Sequence, residues 1–358
     1  MSTIHELMHQ AVKCGASDIH LKTDNPPVFR VNGSLQRQAG EVLTDDDIES
    51  LLAEITSENE RQKFSKIKEL DSSYMLEGLA RFRINVCKDD GDTRMVLRVI
   101  PTTIKTIEDL ELPPVLRDIC TNSNGLVLVT GVTGSGKSTS LAAMIDAINT
   151  TRPLHVVTVE DPLEFLHEDK EAIITQREVG QDTMSFANAL RGALRQDPDI
   201  ILIGEMRDAE TVRTALSSAE TGHLVFSTLH TVDAVQTLHR IMDFFEPHQQ
   251  EQIRKQLASV LRAIVSQRLI PTKDGLGRRA AAEILIGNRT VRDFIEQGKS
   301  FKEISGLIEE GASQYGMQTF DQALYALWSD GRISEKTALE YSTSPRDLKL
   351  RLQGLAAG

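Results

Sequence analysis

Aromatic residues make up only 4% of this 358-residue chain, so any core must be mostly aliphatic. Cysteine is scarcer still. Cys14, Cys87 and Cys120 are far apart and form no CxxC pair. That gives no ground for a disulfide framework or a zinc site, and it fits a reducing compartment. Basic charge is in deficit, with 40 Lys and Arg against 52 Asp and Glu and a net charge of −12. Such a balance argues against wrapping a nucleic acid as the main task, although it leaves room for a local basic groove. No apolar run approaches the ~18 residues that span a membrane. The opening MSTIHELMHQ lacks the basic and apolar regions of a signal peptide. The expectation is a soluble, cytoplasmic chain whose membrane role, if any, runs through a partner. Internal repeats and low-complexity segments are also missing. The remainder, 40% hydrophobic and 26% charged, is ordinary for a globular protein, and the length favours two domains.

Residues 1–100 read as a small α+β domain. Ile4 to Cys14 has the pattern of a short amphipathic helix. SDIHLKT (Ser17–Thr23) and PVFRVNG (Pro27–Gly33) alternate as strands. Leu43 to Phe64 carries helical periodicity, with Thr44 as N-cap and Asp46 and Asp47 near the positive end. SSYMLEG and ARFRINVCKDDGDTRMVLRVI alternate again, around a turn at Asp89-Asp90-Gly91. Residues 101–114, with three prolines, form the expected linker. From 115 to 358 short apolar runs alternate with helical stretches: GLVLVTG, HVVTVED, DIILIGE, HLVFSTLH and AAEILIG. Continuous β-branched runs between helices indicate a buried, mostly parallel sheet. From about residue 289 the chain reads as helical to its end.

The most specific signal is GVTGSGKS, Gly131–Ser138, which matches the phosphate-loop pattern G-x-x-x-x-G-K-[ST] between an apolar strand and a helix. A chance match anywhere in the chain is on the order of one in a hundred from residue frequencies. Glycines at 131, 134 and 136 let consecutive N–H groups turn inward around phosphate oxygens. Thr133, Ser135 and Thr139 complete the loop and the first helical turn, whose positive end favours an anion. Lys137 reaches the β- and γ-phosphates of a nucleotide, and the Ser138 hydroxyl ligates Mg²⁺.

Four further patterns carry less specific signals. In DPDIILIGEMRD the strand Ile200–Ile203 ends in Gly204-Glu205, read as a strand beside the phosphate-loop strand. Glu205 is then either a polariser of water, in the Mg²⁺ shell, or a solvated strand-end acid. Asp199, at the far end, is structural. In HVVTVEDPLEF the carboxylates Glu160, Asp161 and Glu164 suit a Mg²⁺ shell, through water, or a plain acidic turn. In TGHLVFSTLHT, His223 and His230 flank one strand; each is either an ordinary surface histidine or a phosphate-responsive group. Arg81 and Arg83 share one strand face, with Arg98 on the expected partner strand. They either clamp phosphate or make salt bridges on a solvated sheet.

Together, GVTGSGKS, HVVTVEDPLEF, DPDIILIGEMRD and TGHLVFSTLHT resemble the Walker A, Asp-box, Walker B and His-box of the bacterial secretion and type IV pilus ATPases, in order and spacing. SDIHLKTDNPPVFRVNG and ARFRINV resemble the PAS-like domain of that family. The form GEMRD and the tail GMQTFDQALYALW are similar to its PilT/PilU retraction branch. Assembly-type members usually carry an additional N-terminal domain and often a four-cysteine zinc insertion. Where retraction members often show an AIRNLIREG-like helix, this chain has TVRDFIEQG, Thr290–Gly298. The resemblance implies a RecA-like P-loop core, a smaller PAS-like α+β domain and a C-terminal helical segment. It implies a homohexameric ATPase with ATP and Mg²⁺ held between the two domains of a subunit. Glu205 would be the catalytic carboxylate, with Glu160 assisting. His223 and His230 would couple phosphate state to domain position, and Arg81, Arg83 and Arg98 would stabilise charge. Expected partners are a PilC-like platform protein of the inner membrane and PilU-like or PilB-like paralogues, with no nucleic acid and no membrane insertion. An assembly or secretion ATPase, an accessory PilU-like protein and a helicase-type motor are the alternatives. The acidic balance and few aromatics disfavour the last, because strand-tracking motors need basic grooves and stacking platforms.

Overall fold

The computed structural model describes residues 3–31, 33–100, 103–298 and 300–355. Pro101 and Thr102 of the expected linker, Asn32 of PVFRVNG, and Lys299 and residues 356–358 of the expected helical tail lie outside them. Contacts divide the chain into two compact units, 1–103 with 164–166, and 104–163 with 167–358.

The first unit is an antiparallel six-stranded sheet with helices. Its elements run α1 (Ile4–Lys13), β1 (Ala16–Lys22), β2 (Val28–Val31), β3 (Ser34–Arg37), α2 (Asp45–Ile55), α3 (Glu58–Ile67), β4 (Glu69–Leu76), β5 (Ala80–Asp89) and β6 (Asp92–Ile100). The sheet order is β3-β2-β1-β6-β5-β4. Ala80, Phe82, Ile84 and Val86 of β5 are buried while Arg81 and Arg83 alternate outward. The inward face packs on Ile4, Leu7, Met8, Ile48, Leu51 and Leu52 of the helices. The helical stretch read over Leu43–Phe64 is two helices, not one. Thr44 caps the first with Asp47, and Ser57 caps the second with Glu60, each as a reciprocal capping box. A second strong N-cap inside a periodic stretch restarts the helix.

The second unit holds α4 (Val115–Cys120), β7 (Gly125–Thr130), α5 (Lys137–Thr151), β8 (His155–Glu160), β9 (Ile173–Glu178), α6 (Phe186–Ala193), β10 (Ile200–Ile203), α7 (Ala209–Glu220), β11 (Leu224–Leu229), α8 (Ala234–Asp243), α9 (Pro247–Val260), β12 (Leu261–Pro271) and β13 (Arg278–Ile286). The strand order is β13-β12-β7-β11-β10-β8-β9, and only the β12–β13 pair is antiparallel. Strands buried on both faces sort alternate residues to opposite sides. Leu126, Leu128, Ile201, Ile203 and Val225 meet α7, α8 and α9. Val127, Val129, Ile200, Leu202 and Phe226 meet α4 and α5. Ile107 and Leu112, from the expected linker, are buried in this second cluster. The tail adds α10 (Arg289–Glu296), α11 (Ile304–Glu310), α12 (Ala312–Tyr315), α13 (Phe320–Ser329), α14 (Glu335–Tyr341) and α15 (Pro345–Leu352). The last three pack on Ile270 and Ala281 of the β12–β13 hairpin. The expected class is therefore observed: a P-loop α/β core, a smaller α+β unit and a helical tail. Among the described residues no helix is long and apolar enough to cross a membrane.

Candidate active site

At the end of β7 the chain turns at Gly131, where φ is +145°. A methyl group there would fall 2.5 Å from the Gln267 carbonyl oxygen and press on the Ser135 hydroxyl. Only glycine fits, so the loop can close tightly and deliver Lys137 to the start of α5. No side chain caps that helix; Gly136 holds the N-cap position in a left-handed conformation. An uncapped N-terminus aims N–H groups and positive partial charge at whatever anion sits above it. The Ser135 hydroxyl is buried and has no hydrogen-bond partner, a condition that costs on the order of 1–3 kcal/mol when nothing satisfies it. A phosphate oxygen is a suitable acceptor. Lys137 is 8% exposed, and its Nζ donates to the carbonyls of Gly131 (2.8 Å) and Val132 (3.1 Å). Ser138 and Thr139 are half-buried in the first turn, while Thr133 and Gly134 are exposed at the loop tip.

Because β12, β7, β11, β10 and β8 are parallel, their C-terminal ends share one end of the sheet. β10 does not lie beside β7 as the sequence reading has it. β11 stands between them, pairing Leu224–Leu229 with β7 and Leu224–Ser227 with β10. Apolar runs of similar length and composition carry no mark of which neighbours which.

The Gly204 interruption before Glu205 has a steric cause. A Cβ at Gly204 would lie 3.2 Å from both the Glu160 Cα and the Val159 carbonyl oxygen, tighter than ordinary contact. With glycine there, Gly204 N–H donates to Val159 O (2.8 Å) and its carbonyl accepts from the Thr228 hydroxyl (2.7 Å). Glu205 thus leaves a strand end held from both sides. Its carboxylate, 21% exposed, accepts from Arg207 Nε at 2.9 Å, and His230 Nε2 lies 3.4 Å from the same oxygen. Arg207 also reaches Asp161 at 3.8 Å. Glu160, at the end of β8, accepts from the Thr158 hydroxyl at 2.8 Å. Glu205, His230, Arg207 and Asp161 therefore form one cluster. Arg207 stood in the GEMRD motif but drew no role from the sequence. Its two-residue offset from Glu205 around a strand end was the available signal.

His223 does not join this cluster. It precedes β11, whereas His230 follows it, so the strand separates them by roughly 20 Å at ~3.3 Å per residue. Its ring bonds the Ser218 carbonyl at 2.9 Å, tying down the end of α7. Asp199, also at that far end, accepts from the His155 N–H at 2.9 Å.

Among the described residues no three His, Cys, Asp or Glu side chains gather as a metal site. That is compatible with Mg²⁺, which takes one or two protein ligands and fills its shell with phosphate oxygens and water. Ser138 in the first turn of α5 fits that mode.

The three arginines lie on one face of the first unit's sheet. Arg83 and Arg98 are register partners on β5 and β6. Arg81 donates to the Ser73 hydroxyl at 2.7 Å and Arg83 lies 3.8 Å from Asp71. Arg98 Nε donates to Asp18 at 2.9 Å. Burial alone would raise the Asp18 carboxyl, but hydrogen bonds from Arg98 and Ser17 and the charge of Arg98 bring it below its ordinary value.

Residues 1–306 match the family model described as type II/IV secretion system protein. The chain belongs to that family. It is 44% identical to the type IV pilus retraction ATPase PilT of Pseudomonas aeruginosa over 344 residues, 96% of this chain and 99% of that protein. Over 348 residues it is 40% identical to the type IV pilus ATPase PilU of the same organism, covering 97% of this chain and 91% of the relative. A crystal structure of the pilus retraction motor PilT with bound ADP superposes with a TM-score of 0.90, at 44% identity, covering 98% of this chain and 99% of that one. The resemblance of the four boxes to the bacterial secretion and type IV pilus ATPases, and of GEMRD and the tail to the PilT/PilU branch, agrees with these matches.

Proposed function

We propose that this chain is an ATP-hydrolysing motor that drives type IV pilus retraction, and hence twitching motility. One observation carries the chemistry. A phosphate loop with an orphaned Ser135 hydroxyl, and a carboxylate held by Arg207 and His230, stand at the same end of one parallel sheet. The full-length likeness to PilT, whose structure holds ADP, supports the nucleotide and the biological role.

The chain's residues divide the labour of phosphoryl transfer, which is mainly positioning and electrostatics. Loop N–H groups from Gly131 to Lys137 and the end of α5 hold the phosphates. Lys137 exchanges its carbonyl contacts for β- and γ-phosphate oxygens, a swap of neutral for charge-assisted hydrogen bonds. Ser138 would hold Mg²⁺, which when bound neutralises charge on the β- and γ-phosphates. Glu205 orients and polarises water for attack on the γ-phosphate, and Glu160 assists from the neighbouring strand end. His230, against Glu205, responds to the state of the phosphate. Arg81, Arg83 and Arg98 stabilise developing charge. The working form is a homohexamer that turns a PilC-like platform protein at the inner-membrane pilus base.

The test is complementation of a strain lacking its retraction ATPase, scored by pilus shortening and surface motility, beside ATP turnover of the purified chain. Restored retraction, abolished by Lys137→Ala, is the expected result. Full turnover without restored retraction, at matched expression, would place the chain in another secretion system. The similar identity to PilU favours one second reading, an accessory ATPase, for which isolated turnover would be low and retraction would require a paralogue.

A further inference from the structure

A buried polar row crosses the sheet just below the site and has no part in the chemistry described so far. Glu283 of β13 is the register partner of Ser266 on β12, and Ser266 is the register partner of Thr130 on β7. All three are buried, at 8%, 0% and 0% exposure. The Thr130 hydroxyl donates to Ser266 at 2.9 Å. Above the row sits the start of α8. Glu283 accepts the N–H of Ala234, its first residue, at 2.9 Å. Thr237, one turn on and 0% exposed, bonds the Thr231 hydroxyl at 2.7 Å, reaches Thr130 at 3.5 Å and back-bonds Asp233 O at 2.7 Å. The row therefore ties three things together: the last residue before the phosphate loop, the first turn of α8, and the short connection from β11 that carries His230.

A buried carboxyl is a costly way to hold a helix. The groups around it are Asp233 and Asp321, which raise its proton affinity, and Arg268, which lowers it. An apolar residue would fill the space at less cost, but it would leave the Ala234 N–H without its acceptor and the first turn of α8 free to shift. A shift of that turn moves Thr231 and His230 relative to Glu205, while the phosphate loop itself stays anchored through Gln267 and Ser140 (3.0 Å).

We propose that Glu283, acting through the Ala234 N–H and the Thr130–Thr237–Thr231 hydroxyls, is a positioning residue that fixes the His230 connection against Glu205. Its role rests on the reading of Glu205 and His230 as hydrolysis machinery. It serves the chemical step and not nucleotide binding, and what it supplies is a hydrogen-bond acceptor, not a charge.

The experiment compares full-length wild type with Glu283→Gln, Glu283→Met and Thr237→Val, measuring steady-state ATP turnover, ADP affinity, melting temperature and mass. The glutamine keeps a carbonyl oxygen facing Ala234 and should retain kcat within about threefold. Methionine keeps the volume without the acceptor and should lower kcat about tenfold or more, with ADP affinity within about twofold. Combining it with His230→Ala should cost little beyond either change alone, because both disturb one contact. Should Glu283→Met fail to fold, Thr237→Val, which removes the hydroxyl link but not the helix acceptor, carries the same split between kcat and affinity. Wild-type kcat in the folded variants, losses that multiply with His230→Ala, or a parallel loss of ADP affinity would each overturn the proposal. Glu205→Gln run alongside separates the two levels. If it too left turnover intact, the reading of the site itself would fail, whereas an inactive Glu205→Gln beside an unaffected Glu283→Met would remove only the positioning role.

Discussion

Gly131→Ala tests the architecture of the phosphate loop with one added methyl group. That methyl would lie 2.5 Å from the Gln267 carbonyl oxygen, about 1 Å inside ordinary carbon–oxygen contact. The obstacle is backbone of β12, paired to β7 on one side and β13 on the other, so it cannot swing away as a side-chain tip would. Alanine must also adopt a φ of +145°, which costs a residue with a Cβ on the order of 1–3 kcal/mol. Overpacking adds a further ~1–3 kcal/mol. The total, about 2–6 kcal/mol, is spent either on stability or on opening the loop. If the sheet yields, the melting temperature falls by roughly 4–24 °C, at about 2–4 °C per kcal/mol for a unit of this size. If the loop yields, the N–H groups move about 1 Å from the phosphate positions and affinity for ADP drops by roughly 30-fold or more, using ~1.4 kcal/mol per decade. Thermal unfolding together with titration of a fluorescent ADP analogue reads both channels. Unchanged melting and unchanged affinity in the same preparation would refute the reasoning.

Glu205→Gln should leave ADP affinity within about twofold and cut kcat by roughly 10²–10⁴-fold, the range for removing a general base; a rate near wild type in single-turnover kinetics would speak against its role. Arg207→Ala frees Glu205 from its 2.9 Å partner and should change kcat far more than affinity, with equal changes in both counting against a specific hold on the carboxylate. Burial pushes Glu283 up to about 7, from an ordinary value of 4.5, against the opposing Ala234 N–H. The folded chain then keeps a proton that the unfolded chain releases, so this group's contribution to stability falls as pH rises from about 4.5 to 7, and Glu283→Gln should flatten that decline in denaturant midpoints. Asp18 behaves oppositely. Its lowered value means stability present above the ordinary carboxylate range and lost as pH falls below it, and Arg98→Ala should make acid unfolding begin at higher pH.

Much of the second unit was legible because its chemistry is local. The apolar runs at 125–130, 155–160, 200–203 and 224–229 became strands, since a strand buried on both faces must be apolar throughout. β12 was not read, although it neighbours β7. Arg262, Gln267 and Arg268 break its apolar run, and they are tolerated because their polar ends find partners: Arg262 bonds Asn124, Gln267 bonds Ser140, and Arg268 bonds the Tyr341 carbonyl. β3 was missed because all four of its residues are exposed, leaving no alternation to see. In the site, residues within one motif were readable by spacing. Those brought in by topology were not: the pairing of β11 with β10 is what sets His230 beside Glu205, while His223 lies at the opposite end of the same strand. Arg207 and Glu283 share a different limit. Arg207 reaches Asp161, and Glu283 bonds Ala234, only because the fold brings them together, although the Arg207 hold on Glu205 is local in sequence.

The most direct test of a motor built on this site is steady-state Mg²⁺–ATP turnover of the purified chain, with particle mass recorded in the same sample, beside Lys137→Ala and Glu205→Gln. Hexamer-sized particles that hydrolyse ATP, with activity lost in both variants and ADP affinity lost only in Lys137→Ala, are the expected result. Turnover that persists in Glu205→Gln, or that appears only on addition of nucleic acid, would contradict it.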